Sequence, residues 1–259
     1  MDLGIRGKRA LVCASSKGLG RGCARALAEA GVDLVMNARG ADALEAAAKE
    51  IAAEFGVSVE TVAADVSTEE GRAALIEAAG PVDILVNNAG GPPPGMWTDW
   101  EREDFIRALD ANMLAPIALI KALVPGMIER GWGRVVNITS VSVKEPIAAL
   151  GLSNSARAGL TGYVAGTSRQ VAGQGVIMNN LLPGMHATDR TAFLDEARAA
   201  QSGRSVAEIR AGKEANIPVG RYGTPEDFGA TCAFMCSQYA GFMVGQNILL
   251  DGGAFNSTM

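Results

Sequence analysis

Arg9-Ala10-Leu11-Val12-Cys13-Ala14-Ser15-Ser16-Lys17-Gly18-Leu19-Gly20 is a short apolar run that passes straight into a glycine-bearing turn. Residues 9–14 predict a strand, and the alanine-rich residues 21–30 behind the turn predict a helix that Gly31 stops. Gly18 and Gly20 let a backbone approach an anion at the amino end of that helix, where free N–H groups and the helix dipole favour negative charge. A glycine pair alone is a weak signal, because many strand-to-helix turns use one. Its place after the first strand of a series gives it weight.

The same plan recurs along the chain. Residues 33–38, 57–63 and 82–87 predict strands, separated by helices over 41–55 and 68–79 that close at Gly56 and Gly80-Pro81. Thr98-x-x-Glu101 reads as a capping box before a helix over 100–130, which Pro116 and Pro125 should break or kink. A strand over 134–140, a helix over 153–174 and a strand over 176–182 follow. Residues 189–215 read as an interrupted helical segment with a second capping box at Ser205-x-x-Glu208. Thr224-Pro225 starts another helix, with proline at its first position, and 247–250 make a last short strand. Strands alternating with helices predict a Rossmann-type doubly wound α/β fold: seven parallel strands in a single domain over 1–259. Gly90-Gly91-Pro92-Pro93-Pro94-Gly95 is too short for a linker and reads as a rigid loop.

Composition narrows the partners. The net charge of −5 disfavours nucleic acid and anionic membrane, leaving a small molecule as the expected ligand. No uncharged apolar run reaches membrane-spanning length, and the amino-terminal residues carry no secretory h-region. The four cysteines form no C-x-x-C pair and His186 is the sole histidine, so no zinc set can be assembled and no metal is expected. Free thiols in such a chain point to a reducing, cytoplasmic setting.

Several segments together resemble the short-chain dehydrogenase/reductase family, and within it the 3-oxoacyl-carrier-protein-reductase-like members. Cys13-Ala14-Ser15-Ser16-Lys17-Gly18-Leu19-Gly20 is similar to the family's Thr-Gly-x-x-x-Gly-x-Gly motif, with Cys13-Ala14 in place of the first pair. Asn87-Asn88-Ala89-Gly90 stands unaltered, and Asp251-Gly252-Gly253 matches a carboxyl-terminal signature. The resemblance implies that Asp65-Val66 holds an adenine ring. It implies further that Asn112 and Ser140 are catalytic, and that Pro183-Gly184 with Thr188 holds a nicotinamide carboxamide. The implied cofactor contacts are thus Ser15, Ser16, Lys17, Gly18, Leu19, Gly20, Arg39, Asp65, Val66, Asn88, Ala89, Gly90, Arg157, Pro183, Gly184 and Thr188.

Charge argues for which dinucleotide. A preference for NAD usually needs a carboxylate after the second strand to bond the ribose hydroxyls. Here that place reads Asn37-Ala38-Arg39-Gly40, and Arg39, aided by Lys17, suits the 2′-phosphate of NADP.

The catalytic pattern departs from the family's. The positions of its tyrosine and lysine hold Ser153 and Arg157, four apart and so on one helix face. Serine is too short and too weak an acid to replace a phenol, whereas Arg157 keeps a positive charge for the ribose. Tyr163 lies ~15 Å further along the same helix, at ~1.5 Å per residue, and does not rescue the site. Water beside Ser140, Lys144 or His186 remain as proton sources. Residues 189–218 are expected to form a lid over the substrate, with Phe193, Leu194, Met96, Trp97 and Trp100 as candidate walls. Small residues on the helices over 100–130 and 153–174 suggest pairing between subunits, most simply in a homotetramer. The expected function is an NADP-dependent oxidoreductase acting on a carbonyl or secondary alcohol. The alternatives are a cofactor-binding pseudoenzyme and a non-redox lyase or isomerase that keeps NADP.

Overall fold

Side chains of a strand point alternately to its two faces, and the first strand, β1 (Arg9–Val12), feeds two separate cores. Ala10 and Val12 enter one apolar cluster; Leu11, and Cys13 just beyond the strand, enter the other. The computed structural model describes residues 1–258. Its central sheet has seven parallel strands, in the order 3-2-1-4-5-6-7.

Helix α1 (Gly18–Glu29) follows β1 and packs Cys23, Ala24 and Leu27 into the first cluster. Strand β2 (Asp33–Ala38) leads to α2 (Ala41–Phe55), which Gly56 ends in a left-handed conformation, φ 69°. Strand β3 (Val59–Ala63) is followed by α3 (Glu69–Ala79), whose Thr68 cap accepts from Gly71 N at 3.0 Å. Strand β4 (Ile84–Asn87) completes the first half.

The apolar stretch of the second half is where expectation and structure differ. The box expected at Thr98-x-x-Glu101 forms one turn later: α4 (Arg102–Leu109) begins after Glu101, whose N–H donates to Asp104 Oδ2 at 2.9 Å. Asp99 instead accepts from Met96 N at 2.7 Å and closes a turn ahead of the helix. The chain then makes a π-turn over Asp110–Leu114 before α5 (Ala115–Glu129). Pro116 explains the interruption, since it has no N–H for the carbonyl of Asn112 and the ladder admits an extra residue. Pro125 lies within α5 without ending it. The run Arg102–Glu129 is long and apolar enough to cross a membrane by length and composition, yet Leu119, Ile120, Leu123, Val124 and Met127 are buried in the second core cluster.

Strand β5 (Gly133–Ile138) and helix α6 (Gly151–Val171) precede β6 (Val176–Pro183), which is buried almost throughout. The interrupted segment is α7 (Asp189–Ser202) and α8 (Val206–Glu214), the latter with the expected Ser205/Glu208 box. Helix α9 (Pro225–Cys236), with Thr224 and Asp227 as its box, and β7 (Asn247–Leu250) finish the chain. Residues of α1, α2 and α9 fill the first cluster, and residues of α3, α5 and α6 the second. The sheet is therefore covered on both faces, as a parallel sheet must be.

Candidate active site

Strands β1 and β4 are neighbours in the sheet, yet their outgoing helices lie in opposite layers. A crevice opens at such a switch point, at the carboxyl ends of the strands. Its floor is the turn after β1. Cys13 N bonds Val86 O at 3.0 Å and Ser15 N bonds Asn37 O at 2.9 Å, so the turn is pinned to strands on both sides. Between these pins Ala14 adopts φ +47°, the left-handed region that favours glycine. A Cβ on Gly20 would stand 2.2 Å from Ala14 O, so no other residue fits there. Lys17, the N-cap of α1, makes no side-chain capping bond. The first N–H groups of the helix therefore face the crevice without a side-chain acceptor, which is the condition for binding a phosphate. Ser16 and Leu19 are half-buried at the rim. Ser15, expected to touch the cofactor, turns inward instead: it is fully buried, its hydroxyl donates to Val12 O at 2.9 Å and its N–H to Asn37 O, so it has no donor left for an anion.

Moving outward from β1, Arg39 is exposed at the end of β2, and no carboxylate occupies that strand end. Asp65, after β3, accepts from Ser67 N and Ser67 Oγ at 2.9 and 2.7 Å. Those bonds, the backbone one foremost, hold its carboxyl below the usual range, with the charge of Arg39 contributing. Val66 O accepts from Arg72 Nη1 at 2.9 Å. Asn88 donates to Ala14 O at 3.4 Å, which ties the Asn88-Ala89-Gly90 segment to the turn.

On the other side, β6 ends at Pro183. Gly184 N bonds Leu250 O at 2.8 Å, and a Cβ on Gly184 would meet Asp251 Cβ at 2.5 Å, so the loop rests on the Asp251-Gly252-Gly253 turn. Thr188 caps α7, and its methyl would lie 3.6 Å from a Cβ on Gly18. Lys17 Nζ pairs with Asp189 Oδ2 at 2.9 Å. The turn after β1 and the start of α7 are thus in contact.

The residues expected at the reaction centre lie at the end of β5 and on the elements beside it. Ser140, half-buried beyond the strand, accepts from Ser142 N at 3.0 Å. Ser153 and Arg157 do share one face of α6: Arg157 Nε donates to Ser153 Oγ at 3.3 Å and Nη1 to Ile138 O at 2.7 Å. Arg157 is 8% exposed, and burial, with Arg190 nearby, brings its pKa down to about 10. Asn112 is buried in the π-turn, donates to Ala108 O at 3.3 Å, and leaves its Oδ1 without a partner. The π-turn meets α6 at Met113, whose sulfur would lie 2.5 Å from a Cβ on Gly159.

Two of the candidate proton sources are placed differently from expectation or without support. His186 is buried with its ring edge-on to Phe228, centroids 5.2 Å apart, in the first core cluster. Burial lowers its pKa, and at 4% exposure the ring, whose Nδ1 lies 3.3 Å from Gly184 O, is nearly closed to solvent. Lys144 is half-buried beyond Ser142 and makes no ion pair among the described residues.

The structure adds groups that the sequence reading missed. Asn87, Asn137, Asn180 and Asn247 stand in one register row across β4, β5, β6 and β7. Asn87 Nδ2 donates to Asn137 Oδ1 at 2.9 Å and Asn180 Nδ2 to Asn247 Oδ1 at 2.8 Å, a buried amide floor beneath the crevice. The recurrence of asparagine in four of the strands was the available signal. Arg190 reaches back from α7 to Pro92 O at 2.8 Å and lies across Gly91. Buried Asp195 joins α7 to α8 and the loop beyond through Lys213 Nζ at 2.5 Å and Tyr222 Oη at 3.2 Å.

A family profile described as Enoyl-(Acyl carrier protein) reductase matches residues 13–254. The 3-oxoacyl-(acyl-carrier-protein) reductase FabG of Aquifex aeolicus is 31% identical, over 98% of this chain and 100% of its own. L-sorbose reductase from Gluconobacter frateurii, solved with NADPH and L-sorbose, superposes with TM-score 0.95 at 30% identity, covering 99% of this chain and 100% of that one. A 3-oxoacyl (acyl-carrier-protein) reductase from Agrobacterium tumefaciens, solved with NADP bound, superposes at TM-score 0.87 and 30% identity, covering 97% of this chain and 95% of that one.

Proposed function

The chain belongs to the short-chain dehydrogenase/reductase family, and from that premise we propose that it is an NADP-dependent oxidoreductase acting on a carbonyl or secondary alcohol through an altered proton-donor site. The observation that carries this reading is the uncapped amino end of α1 behind Gly18 and Gly20, in a chain alike over its length to reductases solved with NADPH and NADP. Gly20 lets the start of α1 pack against Ala14 O, and the helix's uncapped first N–H groups suit a pyrophosphate. Ser16, Lys17, Gly18 and Leu19 would hold it. Arg39 would meet the 2′-phosphate, Asp65 and Val66 the adenine, and Asn88, Ala89 and Gly90 the ribose side. Pro183, Gly184 and Thr188 would hold the carboxamide. When bound, the cofactor supplies a hydride to the carbonyl carbon.

The chain's own residues then manage the oxygen. Ser153 and Arg157 stand where the family has tyrosine and lysine. Ser140 donates a hydrogen bond to the carbonyl oxygen. Arg157, buried and cationic, stabilises the negative charge that grows there; loss of one such preorganised donor typically costs ~10²–10³-fold in rate. Ser153 accepts from Arg157 Nε and helps fix the guanidinium, and its short side chain leaves room for a water where a phenol would stand. That water passes a proton to the alkoxide oxygen and takes another from bulk solvent, with Asn112 behind it.

Helices α7 and α8, within residues 189–218, act as the lid, braced by Asp195. The exposed small residues Ala158, Gly162, Ala165 and Gly166 of α6, with exposed Phe105, Ile106 and Leu114, support close packing of a homotetramer. Four buried free cysteines suit a cytoplasmic enzyme. The test is to mix the protein with NADPH and a panel of aldehydes and ketones and follow the loss of NADPH absorbance. Oxidation dependent on the carbonyl compound supports the reading; tight NADPH binding with no oxidation across the panel rejects it.

A further inference from the structure

Arg157 is a buried cation without a counter-ion. Its partners, Ile138 O and Ser153 Oγ, are both neutral, and Nη2, which the protein does not fully enclose, has no partner among the described residues. An isolated buried charge is costly unless something pairs it. A second arginine adds to the imbalance: β5, whose end Arg157 bonds at Ile138 O, lies between β4 and β6, and Arg190 spans from the segment after β6 to Pro92 after β4, where its charge disfavours the Arg157 proton. Arg190 comes from the other side of the crevice, from the first turn of α7, and is held by Pro92 O on the loop after β4. No carboxylate pairs with either arginine among the described residues. The nearest acidic groups in sequence are committed elsewhere or turned away: Asp189 is paired with Lys17, and Glu145 is exposed without an ion pair.

The dinucleotide assigned to this crevice does not supply the missing charge. Its 2′-phosphate belongs with Arg39 at the end of β2. Arg157 lies at the end of β5, three strands away in the sheet order, or ~14 Å at ~4.8 Å per strand. The pyrophosphate belongs at α1, after β1. What is left beside Arg157 is a neutral ribose, and a nicotinamide that becomes cationic once oxidised.

We propose that the substrate brings the counter-ion: a carbonyl compound that carries its own carboxylate, held between Arg157 and Arg190. A planar carboxylate suits the forked guanidinium, which can donate to both oxygens at once. The three prolines after Gly91 keep the Arg190 anchor stiff. Met96 and Trp97, both exposed beyond that loop, offer apolar surface for the carbon skeleton. The inference rests on the oxidoreductase reading for the site, but its test reads binding rather than turnover.

Calorimetric titration of the NADP⁺-loaded protein with 4-oxopentanoate and with its neutral methyl ester separates the two readings. The acid should bind at least tenfold more tightly than the ester, and added salt should shrink the ratio. Arg190→Gln should bring the ratio below threefold, while Arg190→Lys, which keeps the charge but loses the fork, should give a ratio between those two. A separate fluorescence titration with NADPH judges the cofactor reading by itself. Equal affinity for acid and ester in the unaltered protein overturns the proposal even if NADPH binds normally. So does a ratio that Arg190→Gln leaves intact, or the absence of binding by both compounds. Loss of NADPH binding alone would strike the parent reading, not the acid-to-ester ratio, which is also measurable without cofactor.

Discussion

Replacing Ala14 with glycine should stabilise the protein. Ala14 sits at φ +47° because Cys13 and Ser15 on either side are bonded to different strands, at 3.0 and 2.9 Å, and its own carbonyl accepts from Asn88. Left-handed geometry costs an L-residue ~1–2 kcal/mol. Glycine escapes that cost but gives back ~0.5–1 kcal/mol through its greater freedom in the unfolded chain. The balance favours Ala14→Gly by ~0.5–1 kcal/mol, which for a chain of this size is a rise of ~1–4 °C in midpoint. Gly56→Ala supplies the mirror experiment. Gly56 has φ +69° and nothing within 4 Å of an added Cβ, so only backbone strain changes, and stability should fall by a similar amount. Circular dichroism during urea and thermal unfolding, without cofactor, reads both. If Ala14→Gly lowers the midpoint while Gly56→Ala also lowers it, strain at the turn is not what Ala14 contributes, and the account of that turn fails.

Three further outcomes are expected. NADPH should bind at least tenfold more tightly than NADH, ~1.4 kcal/mol. Arg39→Asp should erase or invert that preference, since it removes an attraction and adds repulsion of ~1 kcal/mol per unit charge at ~4 Å in water; fluorescence titration giving equal affinities before mutation would reject the argument. In turnover, Ser140→Ala should cost ~10²–10³-fold and Ser153→Ala little. Arg157→Met should weaken NADPH binding and lower kcat together, and steady-state kinetics showing Ser153→Ala alone abolishing activity would make Ser153 the working acid. Stability should also fall as pH drops through the ordinary histidine range. The folded pKa of His186 is depressed by burial, so below the unfolded value the unfolded chain binds the proton that the folded one refuses. His186→Asn should flatten the slope of midpoint against pH between about 5.5 and 7.5, and an unchanged slope would place the acid sensitivity in another group.

How far the sequence could be read depended on the range of the interaction. Strand alternation and glycine stops are local, so all seven strands and the 247–250 boundary were legible. The shared face of Ser153 and Arg157 followed from helical spacing, and their hydrogen bond has the expected origin. Bonds between distant segments were not legible. Nothing local says that Arg190 returns to Pro92, 98 positions away in sequence, or that Lys17 is held by Asp189. His186 was misplaced for a related reason: two residues after Pro183-Gly184 the chain turns inward against Phe228, a contact fixed by α9. The box at Thr98 failed because Asp104 offered Glu101 a competing partner, one turn further on.

The π-turn at Asp110–Leu114 records a rotational mismatch between two duties of one helical rod. Each residue of an α-helix advances by ~100°. Deleting one residue there would leave a regular helix, but everything on one side would rotate by that angle relative to the other. Either Ala108 and Asn112 would swing off α6, or Leu119, Leu123 and Met127 would leave the sheet. The surplus residue acts as a phase shifter, letting a continuous backbone address the crevice and the core from azimuths that an ideal helix cannot serve together. A shortened variant should therefore keep its helix content while losing either the placement of Asn112 or its core packing.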